Sequence, residues 1–229
     1  MMKLLLFDID LTLIDSGGAG RRSMNLAFEK IFGRQNGFHG VNFAGRTDPL
    51  ILRDALAYNG LRWGRLNEEA FKKAYFAYLK AEMQKPNRRK QIQPGISAIL
   101  TILSNRRNIT LGLLTGNWHR GAMIKLDYFN LRRFFPTGAF ADDSEIREEL
   151  PPIAVRRFEV KTGVSIRAEN VFIVGDTPLD VACAKPFGAK SIAVATGLFS
   201  FEELEKTQPD YLFTDFADYQ NFLKIFSEN

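Results

Sequence analysis

Cysteine is almost absent: the chain has one, Cys183, in 229 residues. A single thiol rules out an internal disulfide framework and offers no thiolate cluster for zinc, and its expected place is that of a small buried hydrophobe. Long apolar runs are also missing. No stretch approaches the roughly 18 to 20 apolar residues of a membrane helix, and the N-terminus departs from the basic-then-apolar plan of a signal peptide because acids arrive at position 8. The expectations are therefore no membrane partner and a cytoplasmic address. Aromatic residues are not interleaved with basic ones in any repeated way, so nucleic acid is not an expected partner. Internal repeats and low-complexity tracts are lacking too.

What is present is enough for one sizeable core and a small second lobe, with 45% hydrophobic and 25% charged residues. The net charge of +5 is unevenly spread. Residues 15–90 hold 15 Lys or Arg against 7 Asp or Glu, or +8, and the remainder holds 16 against 19, or −3. A basic segment of this kind suits a small phosphorylated or carboxylated partner. The doublets Arg21-Arg22, Arg106-Arg107, Arg132-Arg133 and Arg156-Arg157 lie on separate segments and read as solvated helix faces, and "NRRK" at 87–90, between Pro86 and Pro94, reads as a solvated linker.

Periodicity changes along the chain in an ordered way. After the apolar run "KLLLF" and its polar end, "DSGGAG" supplies glycines at 17, 18 and 20 as a hinge. Helical spacing follows at Met24, Ala27, Phe28, Ile31 and Phe32, with Gly33 as a stop. A second helix is expected after Thr47, its N-cap, with Pro49 in the first turn and Gly60 beyond the end. A third carries the stripe Phe71, Ala74, Tyr75, Tyr78, Leu79 and Met83, with Asn67 as its cap. From Pro94 the pattern becomes strand and helix in alternation, with strands expected at 109–114, 138–140, 171–174, 191–194 and 211–213. Short apolar strands between helices imply a parallel sheet covered on both faces. The expected fold is α/β: a Rossmann-like parallel sheet core, residues 1–15 and 91–229, with a small all-helical cap, residues 16–90, inserted after the first strand.

Ligands of such sheets bind beyond the carboxyl ends of the strands. Here those ends read "LLLFDID", with Asp8 and Asp10; "TLGLLTGN", with Thr115, Gly116 and Asn117; and "VFIVGDTPLD", with Asp176 and Asp180. Residues two apart on a strand face the same way, roughly 6 to 7 Å apart, so Asp8 and Asp10 can address one cavity. Three or four carboxylates without a cation repel one another, and a bound hard cation relieves them. Oxygen-only ligands favour magnesium, which takes one or two protein carboxylates and fills its remaining positions with water and phosphate oxygens. The Thr115 hydroxyl, the N–H groups around Gly116, and Asn117 near a helix start are donors suited to phosphoryl oxygens.

"DIDLT", "LLTGN" and "GDTPLD" resemble motifs one, two and four of the haloacid dehalogenase superfamily of aspartate-nucleophile phosphohydrolases, in the phosphoglycolate-phosphatase-like branch whose helical cap follows the first motif. The order of motifs, the cap position and the closing "KPFGAKSIAVATG" and "PDYLFTDFADY" extend the resemblance over nearly the whole chain. It implies that Asp8 is the nucleophile, Asp10 the general acid and then base, and Thr115 a donor to the transferring phosphoryl group. It implies magnesium held by Asp8, by the Asp10 carbonyl and by Asp176, with Asp180 supporting directly or through water. The motif-three lysine is missing from "DDSEIREELPPIAVRRFE"; Arg147 is expected to replace it, with Lys161 a weaker candidate. "AGRTD" at 44–48 looks like the cap loop that meets the leaving group, which makes Arg46 and Thr47 candidate substrate contacts alongside Gly116 and Asn117. Thr47 as a plain helix cap with Arg46 in solvent is the competing reading. Arg21 and His119 are further candidates, the latter read chiefly as a helix-start residue.

The expected activity is magnesium-dependent hydrolysis of a small anionic phosphomonoester through an aspartyl-phosphate. A phosphomutase shares all four motifs and is the alternative, as is a non-turnover phospho-acceptor or binding module, although a receiver lacks the inserted cap and the Asp-x-Asp pair. Asp10 and Asp176 argue against a dehalogenase. A phosphonatase would need an early cap lysine for a Schiff base, and Lys30 reads as helical.

Overall fold

Four apolar residues in a row can be buried on both sides only in the middle of a sheet, and residues 4–7 take that place in the computed structural model, which describes residues 1–227. In chain order the elements begin with β1 (Lys3–Phe7), β2 (Ile14–Ser16), α1 (Ala19–Phe32), α2 (Asp48–Tyr58), α3 (Arg65–Gln84) and β3 (Lys90–Ile92). They continue with α4 (Ile96–Ser104), β4 (Ile109–Leu114), α5 (His119–Tyr128), β5 (Thr137–Ala139) and α6 (Leu150–Thr162). The chain then forms β6 (Val171–Gly175), α7 (Pro178–Phe187), β7 (Lys190–Val194), α8 (Phe201–Glu205), β8 (Tyr211–Phe213) and α9 (Tyr219–Lys224). Six strands make one parallel sheet in the order β5-β4-β1-β6-β7-β8. The expected α/β fold is the one observed.

Strand alternation divides the core. Leu5 and Phe7 join Leu100, Leu111, Phe172 and Phe222 on one face, and Leu4 and Leu6 join Phe158, Ile173 and Ala184 on the other. Cys183 is fully buried in the second layer, where burial pushes its thiol up to about 12. Strands are added first on one side of β1, then on the other, so the ends of β4 and β6 flank the end of β1. This placement gathers the three polar strand ends.

Helices α1 to α3 pack on each other around Phe28, Phe38, Phe71, Tyr75, Leu79 and Met83. That cluster also takes in Trp118, from the loop after β4, with ring centroids 6.2 Å from Phe71, 5.8 Å from Tyr75 and 6.1 Å from Phe76. The helical layer is therefore fastened to the sheet by a shared aromatic core.

Five local expectations are corrected. The strand stops at Phe7, so Asp8 and Asp10 lie on the loop beyond it; Leu11 is left-handed there, and its N–H returns to the Ile14 carbonyl at 2.7 Å. The connections to the helical layer are not only glycine-flexible but paired, because β2 and β3 form an antiparallel ribbon with Asp15 opposite Gln91. Lys90 is no solvated linker residue: its ammonium donates to the carbonyls of Glu82 and Met83 at 2.7 Å and of Lys85 at 2.6 Å, closing the C-terminus of α3. Asn67 lies inside α3 rather than capping it. The Thr47 hydroxyl does not cap α2 either, and donates instead to the Glu145 carbonyl at 2.8 Å.

Gly95 starts α4 with φ +77°, and a Cβ there would lie 1.6 Å from the Phe216 carbonyl oxygen. Strain and backbone collision combine, so Gly95→Ala is expected to cost about 2–3 kcal/mol in chemical denaturation. A loss below about 0.5 kcal/mol would contradict this close approach of the Phe216 backbone, on the bend before α9, to the start of α4.

Candidate active site

The floor of the site is acidic because two strand ends, those of β1 and β6, deliver three carboxylates to one point. The Asp8 N–H extends the ladder to the Val174 carbonyl at 2.9 Å, Asp176 follows the end of β6, and Asp180 lies in the first turn of α7. Oxygens of Asp8, Asp176 and Asp180 all lie within 4.8 Å of one another, and all three residues are buried. The Thr12 hydroxyl donates to Asp176 Oδ1 at 2.9 Å.

Asp180 has both oxygens engaged. Its Oδ2 accepts from the Thr177 N–H at 3.0 Å and the Thr177 hydroxyl at 2.7 Å, closing a capping box, and its Oδ1 accepts from Arg147 Nη2. Arg147 enters from the turn Arg147–Glu149 ahead of α6, only 6% exposed, with Nη2 3.3 Å from Asp8 Oδ1 and Nη1 donating to the Gly45 carbonyl at 3.1 Å. The cation expected to stand in for the missing lysine therefore touches the first aspartate, whereas Lys161 donates to the Pro136 carbonyl elsewhere.

One guanidinium does not balance three buried carboxylates. Burial pushes Asp8 up to about 7; Arg147 opposes this, Asp180 and Asp10 reinforce it, and the Thr115 hydroxyl bond opposes it. Asp176 is held well above the usual carboxylate range by burial, then by Asp180 and Asp8. Burial works to lower the Arg147 value, and Asp180 and Asp8 overcome it. A donor set of oxygens alone with unbalanced negative charge fits a hard divalent cation, which Asp8 and Asp176 are placed to hold. Asp180, already doubly bonded, serves that cluster by fixing Arg147.

Asp10 stands apart from the acid cluster. Its Oδ2 accepts from Asn117 Nδ2 at 2.9 Å and from Lys125 Nζ at 2.5 Å, and Lys125 also donates to Asn117 Oδ1 at 2.6 Å. Asn117 donates to the Thr115 hydroxyl oxygen from its side chain at 2.8 Å and its backbone at 3.3 Å, which leaves the hydroxyl proton for Asp8. Lys125 is the site residue that sequence reasoning missed. It is 3% exposed and shares the buried face of α5 with Ala122 and Leu126. The signal was a lysine on an apolar stripe, which burial tolerates only beside a carboxylate.

The helical layer roofs this floor. Gly116 permits the closest approach: a Cβ there would lie 2.2 Å from the Arg46 carbonyl oxygen. The Asp48 N–H donates to the Gly116 carbonyl at 2.7 Å, and Asp48 Oδ2 accepts the Trp118 N–H at 2.8 Å. Burial pushes the Asp48 carboxyl up to about 7, against the pull of Lys125 and the Trp118 N–H. Between floor and roof lies a cavity of about 370 Å³ bordered by Asp8, Asp10, Asp176, Arg46, Gly116 and Asn117, among others. Arg46 is ion-paired with Asp54, and Thr47 is 1% exposed with its hydroxyl on Glu145. His119 starts α5 and packs edge-on against Phe140 at 4.6 Å, outside the residues that border the cavity.

The comparisons with known proteins agree with this arrangement. A family profile described as haloacid dehalogenase-like hydrolase matches residues 5–194. The chain is 26% identical over 212 residues to a Caldanaerobacter subterraneus protein provisionally named pyrophosphatase PpaX, covering 92% of this chain and 90% of that one. It is 25% identical over 214 residues to a phosphoglycolate phosphatase of Pseudomonas savastanoi, covering 93% of this chain and 76% of that one. The crystal structure of a hydrolase from Pseudomonas syringae superposes with a TM-score of 0.74 at 17% identity, covering 100% of both chains, a likeness of fold. A match that runs from the first strand through the strand beyond the last acidic loop takes in every carboxylate of the floor, and this chain belongs to the haloacid dehalogenase-like hydrolases.

Proposed function

We propose that this hydrolase cleaves small phosphomonoesters with magnesium, forming and hydrolysing an aspartyl-phosphate on Asp8. The observation that carries the reading is the separation of its two leading acids: Asp8 sits in the acid cluster beside Arg147, and Asp10 sits in its own cradle of Asn117 and Lys125. In the first half-reaction an Asp8 oxygen forms a bond to phosphorus as the ester P–O bond breaks, and the leaving oxygen takes a proton from Asp10. In the second, the Asp10 carboxylate takes a proton from water as the water oxygen attacks phosphorus, releasing phosphate and restoring the Asp8 carboxylate.

Magnesium held by Asp8 and Asp176 would supply charge neutralisation for the phosphoryl oxygens. The remaining work falls to the chain itself. The Gly116 N–H donates to the phosphoryl oxygens, joined by the Thr115 hydroxyl as it turns from Asp8 once that carboxylate bonds phosphorus, Arg147 balances the charge on Asp8, and Asn117 with Lys125 fixes Asp10 at the leaving-group side. Arg46, lining the roof, and Thr47, bracing it through Glu145, shape the space for the rest of the substrate. The relatives named for phosphoglycolate and pyrophosphate hydrolysis support a small, highly charged substrate.

With p-nitrophenyl phosphate, the wild type is expected to release phosphate continuously in magnesium and to stop in chelator, and Asp8→Asn is expected to lower turnover at least about a thousandfold. One equivalent of phosphate without turnover would instead indicate a phospho-acceptor module. Arg147→Lys keeps a charge but loses the fork that reaches Asp8, Asp180 and Gly45 together; kcat should fall roughly tenfold to a hundredfold, and unchanged kcat would remove Arg147 from the mechanism.

Stability provides an independent check on the metal. Because the Asp8 value is raised in the folded state, its contribution is full below the ordinary 3.8 and is lost as pH rises through about 7. Protons and magnesium compete for the same carboxylates, so the rise in Tm on adding magnesium should be larger at pH 8 than at pH 5.5. Asp176→Asn should abolish the difference, and a magnesium effect that survives it would place the cation elsewhere.

A further inference from the structure

The acids on the floor of the cavity are already engaged by the chain itself. Asp8 meets Arg147, Asp10 meets Asn117 and Lys125, and Asp176 meets Thr12. Two polar atoms of the roof are not engaged. The Tyr75 hydroxyl makes no hydrogen bond among the described residues, and Asp48 gives Oδ2 to the Trp118 N–H while Oδ1 has no partner among them. Both residues border the cavity and both are buried, Tyr75 at 1% exposure and Asp48 at 5%. Among the described residues Arg147 Nε is the one unpartnered side-chain nitrogen or oxygen that is fully sealed, so the Tyr75 hydroxyl and Asp48 Oδ1 open on the cavity. A buried polar atom without a partner is costly, and a ligand in the cavity can supply one.

Tyr75 is held rigidly. Its ring packs at 6.3 Å from Phe71, 5.4 Å from Phe76 and 5.8 Å from Trp118, and its hydroxyl end emerges beside Gly20, where a Cβ would lie 3.9 Å from that oxygen and 3.5 Å from Lys125 Nζ. Burial, then Asp48 and Asp10, hold the phenol well above its ordinary value, which keeps it an O–H donor. The neighbours decide what it can meet. An anion placed here faces Asp48, and a cation faces Lys125. A hydroxyl is neutral, accepts from Tyr75 and donates to Asp48, and so satisfies both. Met24, Phe43 and Ile51 supply apolar wall around them. We propose that Tyr75 is a specificity-determining residue that, with Asp48, binds a hydroxyl on the leaving group, so that monophosphates of short diols and polyols are preferred over esters whose leaving group ends in a charge. This inference rests on the hydrolase reading above and extends it to the other end of the substrate, whose charge then resides in its phosphoryl group.

The test uses phosphate esters of equal length, from two to four carbons, that end in methyl, hydroxyl, carboxylate or ammonium. In the wild type with magnesium, kcat/KM should favour the hydroxyl member over each of the others at least about fivefold at one or more lengths. Tyr75→Phe removes one oxygen and keeps the ring in the aromatic core, and it should bring the hydroxyl-to-methyl ratio to within about twofold of unity. A ratio taken within one variant cancels any general loss of packing, which slows both esters alike. A charged member preferred by the wild type, no preference at any length, or a hydroxyl preference that survives Tyr75→Phe overturns the proposal. The same pairs made as alkyl phosphonates, whose P–C bond is not cleaved by this chemistry, give a Kd ratio by titration calorimetry on the magnesium-loaded protein. Hydrolysis of none of the esters contradicts the hydrolase reading alone, and a phosphonate ratio equal in the wild type and Tyr75→Phe contradicts the role of Tyr75 alone.

Discussion

Three buried carboxylates sharing a space less than 5 Å across are the constraint around which the rest of this molecule is arranged. Such a cluster cannot be left as three anions in a place shielded from water, and the chain supplies only one buried guanidinium against it. Arg147 is used economically: it is pinned by Asp180, reaches Asp8, and extends its other nitrogen to the roof. Asp180 is in turn fixed by Thr177 at the start of α7. The charge that remains suits the site to a cation, and burial with mutual repulsion holds the Asp8 and Asp176 carboxyls above the usual carboxylate range where such an ion would sit.

The same economy explains the contact between the helical layer and the sheet. Arg147 bonds Gly45, Asp48 bonds the backbone at Gly116 and Trp118, and Trp118 completes the aromatic core of the helices. Roof position and floor electrostatics therefore share residues. Part of the positive charge of residues 15–90 is spent on structural pairs such as Arg22 with Glu82 and Arg53 with Glu145, and of its cations Arg21, Arg46 and Arg89 border the cavity.

Much of this was legible from residue order. Apolar runs ending in acids marked the strand ends, and the parallel topology that brings such ends together follows from the alternation of strand and helix. The absence of a lysine before "LPP" directed attention to Arg147, which is buried where that argument required a cation. Other features were hidden because they depend on long-range contact. Lys125 looked like any helical lysine until α5 turned it inward against Asp10, and Thr47 had the local chemistry of a cap but found Glu145, 98 residues away, instead. The ribbon between β2 and β3 pairs segments too distant in sequence, and too short, for periodicity to reveal. Local pattern fixed the elements, and tertiary context reassigned individual hydrogen bonds.

The central claim is that the acid cluster is completed by a divalent cation held by Asp8 and Asp176. Titration calorimetry of magnesium into the protein at pH 7, repeated in buffers of different ionisation enthalpy, tests it most directly, because displacement of protons from raised carboxyls appears in the heat. The account predicts a single saturable site that releases protons on binding and is lost in Asp176→Asn. Binding without proton release, or undiminished in that variant, would contradict it.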